Sequence, residues 1–442
     1  MKLRLMPVLL AAASAAALLT PAAAAAMPPC QSANPPPICD GEGGGGGGPV
    51  WPPTTVDVTG TFTYQDTGGP RPIAFAQVEV WRFEPRTLGI WGWAKDFTIA
   101  TDANGKVSAR YGFDEPGVIY ALRIFASNYA AVVWPDDAHT EPFREQPGEP
   151  DGQVIERTVQ QAGDVLDFSY AFTDSWSSKH FNLAETIRHG YDFAAARRDP
   201  AESDPVPRVA VQPTTWTRTW YNAPVDTIAV NENDVMMDLD ALHEYGHFLE
   251  EQIGSLPWIV SSHQLCSARL PAGEVINGPG GDIVDSPELA WMEGFADWFA
   301  QAVARADPGA GLTAGNGTPT TGRLENPSCP EAGDYIEGNV AGVLWDLTDG
   351  PSAAEPTDTV SDRETAIFQI MDHELDVAPG AGDWPELRRL RSAWIARGLG
   401  QAAFDPILLL NNIPIPVVAP TQTPTGPSQK VCDKKPWTPG CD

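Results

Sequence analysis

Apolar residues alternate with polar ones in the early part of the chain and recur every three or four residues later on. Val56, Val58, Phe62 and Tyr64 fall on one side of an extended segment, as do Val78 and Val80. Ile119, Ala121 and the run Leu122–Phe125 continue the pattern. Strand side chains point to alternate faces, so a period of two predicts strands with one buried face. Asp102-Ala103-Asn104-Gly105, between Phe97–Thr101 and Val107–Tyr111, predicts a hairpin turn. Roughly eighty residues patterned in this way make a small β-sandwich.

From about Asp164 the period lengthens. Phe181, Leu183, Ala184, Ile187 and Tyr191 predict an amphipathic helix. Leu242, Tyr245, Leu249 and Ile253 predict another over Asp240–Ile253, capped by Asp238 or Asp240 and stopped by Gly254. Ser286-Pro287 starts a third over Pro287–Ala304, with Leu289, Met292, Phe299 and Val303 as its apolar face. Tyr335–Leu347, Asp362–Asp372 and Trp384–Arg397 also have helical spacing. Strands first and helices afterwards predict a multidomain chain, a small all-β sandwich followed by an α+β domain. Gly43–Gly48 with Pro49, Pro52 and Pro53 reads as a flexible linker. The expected divisions are 27–54 for a cysteine loop and this linker, 55–137 for the sandwich, 138–163 for a connector and 164–410 for the α+β domain. Residues 411–442 are then a Pro- and Thr-rich tail with a second cysteine loop.

Lys2 and Arg4, the apolar run Leu5–Leu19, Pro21 and small residues to Ala26 predict a secretory signal peptide over 1–26. The run is short for a membrane span and no later segment qualifies. Removing it takes away two positive charges, so the net charge of −30 becomes −32. A surface this acidic argues against nucleic acid or an anionic membrane as partner and fits a secreted, extracellular or periplasmic protein. All six cysteines lie beyond the signal, and three disulfides are expected, Cys30–Cys39, Cys266–Cys329 and Cys432–Cys441. A zinc–cysteine cluster is the competing arrangement, weakened by the lack of C-x-x-C. Asp136-Asp137 and the Asp102 turn could hold calcium, although solvated surface and an ordinary turn account for them. No feature specifies an oligomeric state.

The chemistry concentrates at His243-Glu244-Tyr245-Gly246-His247, an H-E-x-x-H segment. On a helix, histidines four apart share a face and can both reach one metal ion, while the adjacent glutamate can act on a metal-held water. Gly246 would let another element approach closely. Catalytic zinc usually takes three protein ligands and keeps a fourth position open. A third histidine in H-E-x-x-H-x-x-G-x-x-H is excluded by Glu250 and Ile253. Glu293 is the best remaining ligand. Asp297, one turn later on the same face, could accept a hydrogen bond from a ligating histidine and fix its tautomer. An ordinary solvated acidic face is the alternative account of that pair.

H-E-x-x-H followed by a helical E-x-x-x-D resembles the gluzincin metallopeptidases, and Met292-Glu293-Gly294-Phe295-Ala296 is similar to the N-E-G-F-A ligand segment of their aminopeptidase members. Met292 replaces the Asn, and the spacing from His247 to Glu293 is long, so an insertion over Ser255–Asp285 must loop out. No G-x-M-E-N segment is present, which favours an endopeptidase over an aminopeptidase. The resemblance implies a zincin-like α+β peptidase domain, one catalytic Zn2+, a protein or peptide substrate, Glu244 as general base, and an oxyanion donor for which Tyr335, His263 and His373 are candidates. Asn222-Ala223 before Ile228-Ala229-Val230 also looks like the substrate-binding edge strand of such enzymes. The β-region resembles transthyretin-like or carboxypeptidase-regulatory-like domains, on its T-D-x-x-G-x-V turn after a V-x-V strand. The other function class is a zinc-bearing binding or adhesion protein without activity. Glu244 favours the enzyme, because a structural zinc site has no need of a base.

Overall fold

The strand β1 (Thr55–Asp66) shows how the alternating pattern becomes structure. Val56, Val58, Gly60, Phe62, Tyr64 and Asp66 are buried, and the residues between them are not. In the computed structural model, residues 55–85, 91–112, 116–134, 155–198, 206–256, 265–266, 287–315, 317–327, 329–351, 360–376 and 386–415 are described. They fall within one compact unit, Pro53–Asp442. The strands that follow are β2 (Gly69–Pro72), β3 (Gln77–Pro85), β4 (Trp91–Ala100), β5 (Lys106–Gly112), β6 (Ile119–Ile124) and β7 (Ala131–Val133). After these come β8 (Ile155–Thr158), β9 (Val165–Asp167), β10 (Tyr170–Phe172), β11 (Val209–Thr214), β12 (Trp220–Asn222) and β13 (Thr227–Asn231).

β1 organises the first sheet. It pairs antiparallel with β5 (Thr55 opposite Gly112 through Thr61 opposite Lys106) and then with β2, and parallel with β9 and β10. The second sheet has the order β4-β3-β6-β8, all antiparallel. Tyr111 of β5 meets the rings of both Phe97 and Tyr120, joining the two sheets through side chains. A turn forms at Asp102–Gly105 as expected, with Asp102 Oδ1 accepting from the backbone N–H of Asn104 and Lys106 and Gly105 at a positive φ of 70°. It does not close a hairpin: β4 pairs with β3 and β5 with β1, so the turn carries the chain from one sheet to the other.

The third sheet, ordered β12-β13-β11-β7, lies with the helices. β11 runs parallel to both β13 and β7, and β12 is an antiparallel edge strand. The pairings cross the divisions expected at 137 and 163. β7 joins the sheet of β11, β9 and β10 join β1, and 155–158 is a strand where a connector was expected. Strands of three or four residues carry too few positions to show a period, and their pairing is fixed by partners distant in sequence.

The helices are α1 (Ser175–Ala195), α2 (Asp238–Ile253), α3 (Pro287–Ala306), α4 (Thr321–Glu325), α5 (Glu337–Asp346), α6 (Glu364–Ile370), α7 (Leu387–Ala396) and α8 (Gln401–Leu410). Asp174 caps α1, its carboxylate accepting from Ser177 N at 2.7 Å. α2 departs from expectation, since its N-cap is Met237 and neither aspartate caps it. Asp238 instead accepts from Asn182, Thr186 and the Thr313 N–H, and Asp240 from Thr318 and the Gly317 N–H. Both carboxylates therefore anchor the start of α2 to neighbouring segments. α6 runs into a π turn, Met371–Leu375. α8, an apolar run containing Pro406, was not expected as a helix. Phe193, Phe295, Trp298, Phe299 and Phe368 fill the space around α3. No helix among the described residues is long and apolar enough to cross a membrane.

Candidate metal centre

Two glycines set the spacing of the helices that carry the cluster. A Cβ on Gly246 would lie 2.9 Å from Ala296 Cα, closer than real side chains approach, so α2 and α3 touch backbone to backbone there. On α3, a Cβ on Gly294 would meet Glu337 O at 2.9 Å, which presses α5 against it as closely. Side chains three and four residues apart line one helix face. His243 and His247 of α2 therefore flank this crossing opposite Glu293 and Asp297 of α3.

One atom each from His243, His247 and Glu293 gather within 4.8 Å of one another. His243 Nε2 and His247 Nε2 both lie 3.3 Å from Glu293 Oε2. Bonds of roughly 2.0–2.2 Å at a tetrahedral zinc would set ligand atoms about 3.3–3.5 Å apart. The Nδ1 atoms turn the other way: His243 Nδ1 is 2.9 Å from Asp297 Oδ1, and His247 Nδ1 is 3.3 Å from Glu250 Oε2. A carboxylate can only accept, so it draws the proton to Nδ1 and leaves the Nε2 lone pair facing the centre. Two imidazole nitrogens and a carboxylate oxygen, so oriented, fit a zinc ion.

Electrostatics point the same way. Burial drives His243 towards its neutral form, but the hydrogen bonds to Asp297 and Glu293 outweigh it and hold its pKa well above the ordinary histidine value. For His247, burial is likewise overcome, by Glu293 and Glu250, and the pKa rises to about 10. Burial raises Glu250 to about 8, with His247 opposing. The cluster favours a positive charge at its centre, and a divalent cation supplies one.

Glu244, like His243, is partly exposed. Its Oε2 accepts from Tyr221 N at 2.7 Å. Burial raises its pKa and the two histidines counter that. Tyr221 is the central residue of the edge strand β12. Its ring packs on Phe248 and its hydroxyl donates to Glu251 at 2.9 Å, which fastens the strand to α2.

Asn222 ends β12 and Ala223 starts a short 3-10 turn, so the contact with Glu244 comes from Tyr221, one residue earlier than the expected pair. Tyr335 lines a separate cavity of about 300 Å³ with Asp334, Leu387, Arg388 and Leu408, and no member of the metal cluster borders it. A lone tyrosine carries no spacing signal that could have foretold this. His373 lies in the π turn and does not join the cluster. His263 lies outside the described residues. In the sequence, Glu250 does no more than exclude the H-E-x-x-H-x-x-G-x-x-H pattern. Its place three residues after His247, within reach on one helix, was the available sign of its orienting role. Cys266–Cys329 forms as expected, with Cα atoms 5.0 Å apart, and the adjacent Leu265 O accepts from Gly338 N in the first turn of α5. The pairs Cys30–Cys39 and Cys432–Cys441, and Asp136-Asp137, lie outside the described residues.

Comparison with known proteins finds similarity to the Mycolysin C-terminal domain over residues 197–373, a segment that contains α2, α3 and all three cluster residues. An uncharacterized protein of Archaeoglobus fulgidus is 27% identical over 340 residues, covering 68% of this chain and 90% of that protein. Among solved structures, (S)-allantoin synthase is 12% identical with a TM-score of 0.18, covering 27% of this chain and 42% of that one. A 9R-lipoxygenase from Cyanothece PCC8801 is 14% identical with a TM-score of 0.15, covering 33% of this chain and 24% of that one. This chain thus spans less than half of either structure, and similarity at that level carries no argument about fold or activity. The matched Mycolysin C-terminal segment and the His243–His247–Glu293 cluster within it support a zinc-metallopeptidase-like fold.

Proposed function

We propose that this chain is an exported zinc peptidase that hydrolyses peptide bonds within proteins, a reading of the gluzincin type. The observation that carries it is the placing of Glu244. Its carboxylate lies near enough the His243–His247–Glu293 cluster for all three groups to act on its charge, and it accepts from Tyr221 N of the edge strand on which an extended peptide would lie. His243, His247 and Glu293 would hold the ion, and Asp297 and Glu250 keep the two imidazoles in the ligating tautomer. Bound zinc would acidify a water molecule and polarise the scissile carbonyl. Glu244 takes the water proton and returns it to the departing amine, and burial, which raises its pKa, suits both halves of that transfer. β12 offers the Tyr221 C=O on its outer edge to the substrate backbone, the Tyr221 N–H being held by Glu244. The segment 1–26, read as a secretory signal, directs the protein out of the cytoplasm.

The test is hydrolysis of casein and of a mixed peptide library by the mature protein, with and without a chelator, beside Glu244→Gln. Cleavage that the chelator abolishes, and that falls by roughly 10²–10⁴ in Glu244→Gln while the zinc stays bound, supports the proposal. A wild-type protein that holds zinc and cleaves nothing returns the site to the binding or adhesion class.

A further inference from the structure

Beside the edge strand lies an aromatic surface that the catalytic reading leaves unused. Trp216, in the loop between β11 and β12, is 55% exposed. Its ring stacks on that of Trp220, with centroids 5.5 Å apart and planes at 19°. The loop is built to hold this arrangement. Asn231 Nδ2 donates to Trp216 O, and Thr219 Oγ1 accepts from Asn231 N at 3.1 Å and donates to Asp234 at 3.2 Å. Exposing an indole in a loop otherwise so well fastened forgoes the burial that usually stabilises a large apolar ring.

Strand geometry locates this surface relative to the chemistry. Successive side chains of a strand alternate between faces. Tyr221 turns its ring onto Phe248 of α2, so Trp220 and Asn222 turn to the opposite face. The Tyr221 N–H leaves β13 for Glu244, so Tyr221 directs its backbone groups outward, and its C=O is the group left to an incoming peptide. A peptide pairing there would place a side chain about 5 Å from that of its opposite number on β12. Neighbouring strand residues are about 3.3 Å apart. The Trp220–Trp216 surface is therefore one residue along the strand from the Glu244 contact, close to the bond that would be cut.

We propose that Trp216 and Trp220 form a substrate subsite that receives a large uncharged apolar side chain, aromatic above all, from an extended polypeptide. This rests on the peptidase reading and adds to it the substrate class. The two indoles already touch, so they make a continuous wall and a substrate ring extends the stack on the outer face of Trp216. Arg218, exposed in the same loop, disfavours lysine or arginine there. The Tyr221 C=O beside the indoles favours an N–H donor from a polypeptide backbone over carbohydrate, which aromatic surfaces can also bind.

The experiment uses the full mature protein with zinc bound and quenched-fluorescent peptides of one sequence, in which Phe, Leu, Ala or Lys is scanned through the positions flanking the cleaved bond. Wild type should show a kcat/KM at least tenfold higher for Phe than for Ala at one position. Trp216→Ala should erase most of that ratio with zinc content unchanged, and Trp216→Phe should keep most of it. The same Phe and Ala peptides are then titrated into Glu244→Gln and into Glu244→Gln/Trp216→Ala. Phe-selective binding that requires Trp216 supports the subsite even if wild type hydrolyses nothing, which would instead sink the peptidase reading. Equal treatment of Phe and Ala, a ratio indifferent to Trp216→Ala, or Trp216-dependent binding of oligosaccharides with none of peptides, overturns the proposal.

Discussion

Among the described residues, an acid-rich cluster beside β1 and another between α2 and α3 are both buried, and they are balanced in opposite ways. One lies between β1, α1 and the start of α2. There Asp66 pairs with Arg71, Glu185 pairs with Arg188 at 2.9 Å and accepts from Ala74 N, and Asp238 takes hydrogen bonds from Asn182, Thr186 and Thr313. The other lies between α2 and α3, where Glu293, Asp297 and Glu250 face imidazoles. A guanidinium keeps its charge at any working pH, whereas an imidazole is charged only when protonated. The first cluster therefore carries its counter-charge with it. The second directs its Nε2 atoms and a carboxylate at one point, an arrangement that fits a cation supplied from outside. Buried acids alone do not mark a functional site; the direction in which their partners' lone pairs point does.

The comparison breaks most sharply on metal content. Glu293→Ala should lower bound zinc from one ion per chain to near none and bring peptide hydrolysis to background, since only two protein ligands remain. Glu185→Ala, in the first cluster, should leave zinc untouched. Metal analysis after dialysis decides between them, and equal zinc in both variants would mean that the two clusters do not differ as described.

Next in size are the residues that orient the histidines. Asp297→Asn and Glu250→Gln should each weaken zinc affinity or lower kcat/KM by roughly 10–100-fold, because the amide no longer enforces the Nδ1–H tautomer. Competition with a calibrated chelator measures this. Affinities unchanged in both variants would show that the two carboxylates only fill space.

The first cluster has a smaller signature, in stability against pH. Burial, partly offset by Arg188 and the Ala74 N–H, raises Glu185 from 4.5 to about 7. A carboxyl whose pKa is higher folded than unfolded contributes stability below the unfolded value and loses it as the pH rises through the folded one. Wild type should therefore lose stability relative to Glu185→Gln between about pH 4.5 and 7, by on the order of 2–3 kcal/mol. Urea midpoints of the two proteins across that range provide the check, and parallel curves would contradict it.

Much of the site was legible because it is local. His243 and His247 announce themselves by spacing alone, and Gly246 marked the close approach that α3 makes at Ala296. Glu293 could be found far along the chain because Ser286-Pro287 and the apolar stripe of α3 fix which residues share its face. What escaped depends on contacts between elements. Glu250 acquires its role only once the His247 ring has a direction, and Tyr221 reaches Glu244 only because β12 lies over α2. In the fold, the long β1 and the helices α1–α3 followed from their periods. The three-residue strands β7, β9 and β10 did not, because their partners, and not their own sequence, determine which sheet they enter. Asp238 and Asp240 looked like caps for the same reason: sequence shows a carboxylate beside a helix start, but not the Asn182, Thr186 and Thr318 groups that claim it.

The most direct measurement is anomalous diffraction at the zinc edge from crystals of the mature protein. One peak is predicted, about 2.0–2.2 Å from Nε2 of His243, from Nε2 of His247 and from a Glu293 carboxylate oxygen, with Glu244 beside it and not among its ligands. No peak there, or a Glu293 carboxylate directed away from both imidazoles, would contradict the account.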